Sequence, residues 1–188
     1  MLRLKFFVQM FDKLHSKKYH IIMIILGIDP GYALVGFGVV EKKGNSFKVI
    51  DYGVIETFKG EIMSERLKKV YDGIKALIKH YKPDCMAMEE LFFQNNQKTA
   101  INVAMARGVT LLAGVEELGS DNLYEYTPMQ IKQALTGVGR AEKRQVQFMT
   151  KSILCLNEIP KPDDAADALA VAITHGQTNQ ALSSFKIV

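Results

Sequence analysis

The chain has 188 residues and a mass of 21.1 kDa, with 48% hydrophobic and 23% charged residues, the composition of one soluble globular domain rather than a disordered, fibrous or membrane-embedded protein. A chain of this length buries roughly 70% of the surface its unfolded form exposes, so its core needs neither disulfides nor a structural metal. The formal net charge of +4 resides in residues 1–22, where Arg3, Lys5, Lys13, Lys17 and Lys18 face Asp12 alone; the remaining residues balance, and overall basicity is therefore no argument for nucleic acid.

Residues 1–22 read as a basic N-terminal arm or an over-extended start. Their longest apolar run, Phe6 to Val8, is too short for a secretory signal. No run approaches the length of a membrane span. The regular pattern begins at Met23, and Met23 to Asp29 is a continuous apolar strand of the kind buried on both faces of a sheet. After Pro30-Gly31, the segments Val35 to Glu41 and Phe47 to Glu56 flank Lys42-Lys43-Gly44-Asn45, a hairpin signal. Met63, Leu67, Val70, Tyr71, Ile74, Leu77 and Ile78 then fall on one face of a helix closed by Pro83. A short strand, Cys85 to Glu89, precedes a helix from about Gln97 to Leu118 with Ala100, Ala104 and Gly108 at spacing four, which suits close approach to the sheet or to a second subunit. Leu123 to Tyr126 is a strand, and Thr127 caps a helix that starts at Pro128 and runs to Leu135. Further helices are predicted from about Ala141 to Leu156 and from Pro162 to Gly176. Three strands followed by alternating helices and strands imply a mixed α/β sheet covered by helices. Cys85 and Cys155 lack a CxxC partner and sit in apolar runs, as reduced core thiols of a cytoplasmic protein would.

Four acids stand at positions where chemistry collects. Asp29 and Glu89 each end a buried strand, and the carboxyl ends of strands in an open α/β sheet are the usual ligand edge. Asp-Pro-Gly is also a turn sequence in its own right, and a strand-end glutamate is often simply solvated. Asp164 and Asp167 share one face at the start of the last helix; the helix dipole favours acids there, but this face continues inward through Ala168 and Val171. Buried carboxylates without a counter-charge are costly. Hard divalent ions such as Mg²⁺ take a few carboxylates plus water and phosphate oxygens, and two such ions about 4 Å apart suit phosphodiester hydrolysis. The combination points to a metal-dependent nuclease.

Several stretches together resemble the RuvC family of Holliday junction resolvases: Ile24 to Gly31, Met88-Glu89 followed by Phe92, Gly137 to Val146, and Asp164-Ala165-Ala166-Asp167-Ala168-Leu169-Ala170. The resemblance spans residues 23 to about 178. It implies a ribonuclease-H-like fold with a mixed five-stranded sheet, the first three strands antiparallel and the fourth and fifth parallel, a nuclease domain over 23–178 and a C-terminal tail over 179–188. It further implies a cytoplasmic homodimer that makes symmetric Mg²⁺-dependent nicks in four-way junction DNA alongside the RuvA–RuvB branch-migration complex. Two Mg²⁺ ions per subunit are expected, with Mn²⁺ a substitute, held by Asp29, Glu89, Asp164 and Asp167 as the catalytic acids. Asp163 precedes the usual acid pair, which leaves open whether it or Asp164 ligates.

The segment from Gln130 to Lys151 carries Lys132, Arg140, Lys143, Arg144 and Lys151 against Glu142, a local basic patch suited to phosphates or to a plain solvated face. By resemblance Lys132 and Lys143 lie nearest the scissile phosphate, and Phe92 stacks on an unpaired base while Phe93 packs in the core. His175, in the last turn of its helix, reads as a cation at the negative dipole end. Two other classes compete: a nucleotide-binding protein of the actin and sugar-kinase type, which lacks a second Gly-rich phosphate loop here, and a non-catalytic DNA-binding dimer, which leaves the inward acids without a role.

Overall fold

The computed structural model describes residues 22–91, 97–178 and 185–187. Five strands form one sheet, β1 (Ile22–Asp29), β2 (Leu34–Lys43), β3 (Ser46–Glu56), β4 (Cys85–Glu89) and β5 (Leu123–Tyr126). Among the described residues five α-helices cover it: α1 (Met63–Tyr81), α2 (Gln97–Leu118), α3 (Pro128–Thr136), α4 (Lys143–Ile153) and α5 (Asp163–Gln177). The strand order is β3-β2-β1-β4-β5. β1 to β3 pair antiparallel, whereas β4 joins β1 and β5 joins β4 in parallel. This is the mixed sheet expected from the order of elements. The β2–β3 hairpin turns at Gly44 in the left-handed region, φ 62°, a conformation that suits glycine.

Period-two alternation splits the sheet's side chains between two cores. Ile25 of β1, Cys85 and Ala87 of β4, and Tyr124 and Tyr126 of β5 pack with α3, α4 and α5. Leu26, Ile28, Met86, Met88 and Leu123 face the other way, against Val70, Ile74 and Ile78 of α1 and Ala113 of α2. Along α5, every residue from Ala168 to Gly176 is buried, because this Ala-rich helix is sandwiched between the sheet and the outer helices α3 and α4. A helix without a polar stripe is stable only in such a place.

Glycines let α5 lie directly on the strands. A Cβ at Gly27 would sit 2.1 Å from the Ala168 carbonyl oxygen, one at Gly36 2.1 Å from that of Asp164, and one at Gly38 2.8 Å from the Leu169 side chain. The seam fixes the height of the helix over β1 and β2, and with it the position of the acids in its first turn.

Differences from the sequence reading have local causes. β1 starts one residue earlier, and α4 is shorter than expected because a capping box between Glu142 and Gln145 starts it at Lys143. Cys85 is buried as expected, but Cys155 is exposed, at the positive-φ position that follows α4. His175 is buried rather than a helix-end cation: its Nδ1 is 2.9 Å from the Tyr126 hydroxyl, and burial, with Lys42 nearby, pulls its pKa down to about 4. Part of the expected tail is attached to the fold. Phe185 stacks on Tyr126, the Ile187 N–H donates to the Leu123 carbonyl at 3.2 Å, and Lys186 pairs with Asp121, so this segment covers the free edge of β5.

Substituting Gly27→Ala should cost about 1–3 kcal/mol of stability, since backbone rather than a movable side chain meets the added methyl. Urea denaturation measures this; an unchanged midpoint would mean that α5 is free to shift away from the sheet.

Candidate active site

Asp29 and Glu89 become neighbours through strand register. In the parallel β1–β4 pair Gly27 stands opposite Ala87 and Ile28 opposite Met88, so Asp29 and Glu89 come next, side by side. Alternation turns both side chains to the α5 face, because Ile25 and Gly27 on β1, and Cys85 and Ala87 on β4, point that way. Asp164 and Asp167 occupy the first turns of α5 above the same edge, with the Asp164 backbone pressed on Gly36, the β2 partner of Asp29. Residues distant in the chain thus converge on one end of the sheet.

Electrostatics register the convergence. Burial pushes the Asp29 carboxyl up to about 8, and the charges of Glu89, Asp167 and Asp164 push the same way, with Lys143 opposing them. Burial likewise raises Glu89 to about 7, helped by Asp167 and resisted by Lys143 and Lys132. Asp167 is raised by burial against the opposing pull of Lys143. The Lys143 ammonium donates to Asp167 Oδ2 at 2.8 Å and lies 3.6 Å from Asp163 Oδ2. Burial alone would depress its pKa, but the hydrogen bond and charge of Asp167, with Asp163, carry it upward. Asp163 shares Lys143 but has a nearer partner of its own: its Oδ1 pairs with Lys161 at 3.0 Å, and its pKa is lowered, first by that hydrogen bond. Of the two candidates, Asp164 is the one whose charge acts on Asp29.

A cleft of about 290 Å³ opens beside the acids, lined by Glu89, Asp167, Lys132 and Lys143, with Ile131 and Val146 as apolar walls. Lys132 and Lys143 of the basic segment therefore reach the acid edge. Arg140 does not; it lies on the rim of a separate, larger apolar groove of about 860 Å³ that also contains Met129, Val138 and Phe185 but none of the four acids. Arg144 is solvent-exposed on α4. Phe92 and Phe93 lie outside the described residues. The counter-charge of the inward acids comes from outside their own helix: α4 supplies it as Lys143, a link that the sequence pattern of α5 does not reveal.

The donor set suits a hard divalent cation. It consists of carboxylate oxygens, burial and mutual repulsion hold at least two of them well above their ordinary pKa, and a cation would relieve both. Among the described residues no group of three or more Asp, Glu, His or Cys side chains stands in an arrangement that could hold a metal ion as it is, so the acids are an open rather than an assembled donor set. An open donor set leaves coordination positions for water and phosphate oxygens, which is how Mg²⁺ is commonly held.

A family profile described as Crossover junction endodeoxyribonuclease RuvC matches residues 25–175. The chain belongs to the RuvC family. The curated crossover junction endodeoxyribonuclease RuvC of Desulforamulus reducens is 57% identical over 155 residues, covering 82% of this chain and 94% of that one. The RuvC of Clostridioides difficile is 54% identical over 164 residues, covering 87% and 96%. Among solved structures, Thermus thermophilus RuvC in complex with a Holliday junction substrate superposes with a TM-score of 0.77 at 36% identity, covering 86% of this chain and 94% of that one. The sheet described above is accordingly the ribonuclease-H-like sheet of RuvC proteins.

The raised acid at the centre of the site has a consequence for stability. Asp29 titrates near 3.8 in the unfolded chain and near 8 when folded, so the folded protein keeps a proton that the unfolded chain releases across this window. Stability contributed by the protonated form is complete at low pH and is lost as pH rises toward about 8. Without divalent ions, Asp29→Asn should melt several degrees above the parent at about pH 8.5 and much closer to it at about pH 5. A gap of the same size at both pH values would contradict a buried, repelled carboxyl at this position.

Proposed function

We infer that the protein is a structure-specific endonuclease that resolves Holliday junctions by metal-dependent hydrolysis of DNA phosphodiesters in recombination and repair. The observation that carries this reading is the convergence of Asp29, Glu89, Asp164 and Asp167 on one edge of the sheet in a RuvC-family chain, with two lysines in the adjoining cleft. The family is one of metal-dependent nucleases, and the finer proposal is that Mg²⁺, as two ions per subunit with Mn²⁺ able to replace it, is held by these four acids. When bound there, the metal would supply Lewis-acid stabilisation and an acidified water for hydrolysis.

The protein's own groups divide the remaining work. Asp29 and Glu89, rooted in adjacent strands, provide the rigid half of the ligand set. Asp164 and Asp167 provide the other half from a helix whose height is fixed by glycine contacts. Lys143 neutralises the acids and, with Lys132, faces the cleft that an anionic backbone would enter. Arg140 and Arg144 would contact phosphates farther from the cut. Phe92, which follows Glu89 by three residues, is proposed to stack on a base at the crossover.

Symmetric cuts need two active sites, and α2 offers a surface for pairing. Ile101, Met105, Leu112 and Val115 are each roughly half exposed and recur along one side of that helix. Gly108 lies among them with open space where a Cβ would be. We propose that two subunits pair through this stripe, since contiguous apolar surface of this kind marks association sites. Work with the RuvA–RuvB branch-migration complex, in the cytoplasm, belongs to the same reading. Among the described residues no helix is long and apolar enough to cross a membrane.

Incubated with a labelled four-way junction and Mg²⁺, the protein should nick opposite strands symmetrically and leave linear duplex intact. Asp29→Asn should slow nicking by at least about a thousandfold, the loss of several kcal/mol of transition-state stabilisation, while junction binding persists. ATP binding without cleavage under any divalent ion would support the nucleotide-binding alternative instead. Leu112→Glu should yield folded monomers in sedimentation and abolish paired cuts; an intact dimer would place the interface elsewhere. Because Asp29 and Glu89 must shed protons to accept a cation, the Mg²⁺ concentration for half-maximal rate should fall as pH rises from about 6 to about 9.

A further inference from the structure

One buried charge plays no part in the site described above. Arg66 of α1 is 7% exposed and stands on the helix face that buries Val70, Ile74 and Ile78, a place where an aliphatic side chain is the ordinary occupant. Among the described residues its partners are neutral. Nε donates to Thr57 Oγ1 at 2.9 Å, Nη2 donates to the Tyr32 carbonyl at 3.3 Å, and the guanidinium carbon lies 3.6 Å from the centre of the Tyr32 ring. The Thr57 hydroxyl donates to the same carbonyl at 2.7 Å, and the Thr57 N–H donates to the Ala33 carbonyl at 2.9 Å. A guanidinium taken out of water without a carboxylate partner is costly, so its bonds must secure something that packing alone would not.

They secure the turn that follows Asp29. Pro30 to Ala33 joins β1 to β2 so tightly that a Cβ on Gly31 would lie 1.8 Å from the Leu34 carbonyl oxygen. The turn enters β2 at the stretch where Gly36 pairs with Asp29 on one side and touches the Asp164 backbone on the other. Any movement of this turn therefore changes the placement of Asp29 relative to the first turn of α5. We propose that Arg66 is a positioning residue: by clamping the Tyr32 carbonyl and ring together with Thr57, it holds Asp29 and the Asp164–Asp167 helix start in the relative geometry that binds the divalent ion. The clamp rests on the nuclease reading, but it makes a separate prediction about cation affinity.

The test uses the full chain carrying Arg66→Met, Arg66→Lys or Tyr32→Leu. Mn²⁺ binding is measured by calorimetry, junction binding without divalent ions by gel shift, and nicking in single turnover at saturating junction. Arg66→Met should weaken Mn²⁺ binding by about tenfold or more and slow saturated nicking comparably, the usual scale for a residue that supports metal ligands from outside the ligand set. Junction affinity should stay within about twofold. Arg66→Lys, which keeps a cation over the ring, should recover part of both losses, and Tyr32→Leu should fall in between. If Arg66→Met does not fold, Tyr32→Leu decides by the same readouts. Mn²⁺ affinity and saturated rate within about twofold of the parent in a folded variant would overturn the clamp. If instead the parent protein fails to nick junctions, the nuclease reading falls, while Mn²⁺ affinity still judges the clamp.

Discussion

Carboxylates crowded into a partly dry edge of a sheet repel one another, and the rest of this structure is arranged around tolerating that repulsion. Asp29 is pushed up to about 8 by burial and by three neighbouring acids. β1 and β4 carry no basic side chain, the one on α5, His175, is buried at its far end, and among the described residues the offset comes from Lys143 on α4 and Lys132 on α3. A protein selected for stability alone would have no reason to keep such a cluster. The arrangement is paid for in stability and returned as a site that a divalent cation can complete.

Rigid placement of the acids comes from parts of the fold that carry no charge. Gly27, Gly36 and Gly38 let α5 descend onto β1 and β2, and the buried apolar run from Ala168 to Ile173 keeps it between the sheet and the outer helices. Parallel pairing of β1 with β4 sets Asp29 beside Glu89, and alternation sends both to the same side. Arg66, Tyr32 and Thr57 tie down the turn beyond Asp29 from the opposite direction. Catalysis of phosphodiester hydrolysis depends on preorganised charge, and each of these contacts restrains one of the elements that carry it.

Much of this was legible in the sequence because the signals are local. The strand ends at Asp29 and Glu89, the capped start of α3 at Thr127-Pro128 and the inward face of Asp164 and Asp167 all follow from period and punctuation. Signals that depend on contact between distant segments were not legible. By position His175 reads as a helix-end cation, but in the fold it is buried beside the Tyr126 hydroxyl. Cys155 sits in an apolar run yet is exposed, because α4 ends just before it. The counter-charge for the acids lay about 20 residues upstream of them in the chain, in a segment that by pattern was equally a solvated basic face. Arg66 did leave a trace: four residues before Val70, it interrupts an otherwise apolar helix face, a position where a charged residue calls for an explanation.

Cation binding coupled to proton release is the most direct test of a site built from repelled acids. Titrating Mn²⁺ into the protein at about pH 7, in buffers of different ionisation enthalpy, measures the protons released per ion bound. With Asp29 and Glu89 both held near or above neutrality, binding should release a substantial fraction of a proton or more per subunit, and Asp29→Asn should remove most of that release along with most of the affinity. Binding that releases no protons, or that survives the Asn substitution unchanged, would contradict a metal site formed by these converging carboxylates.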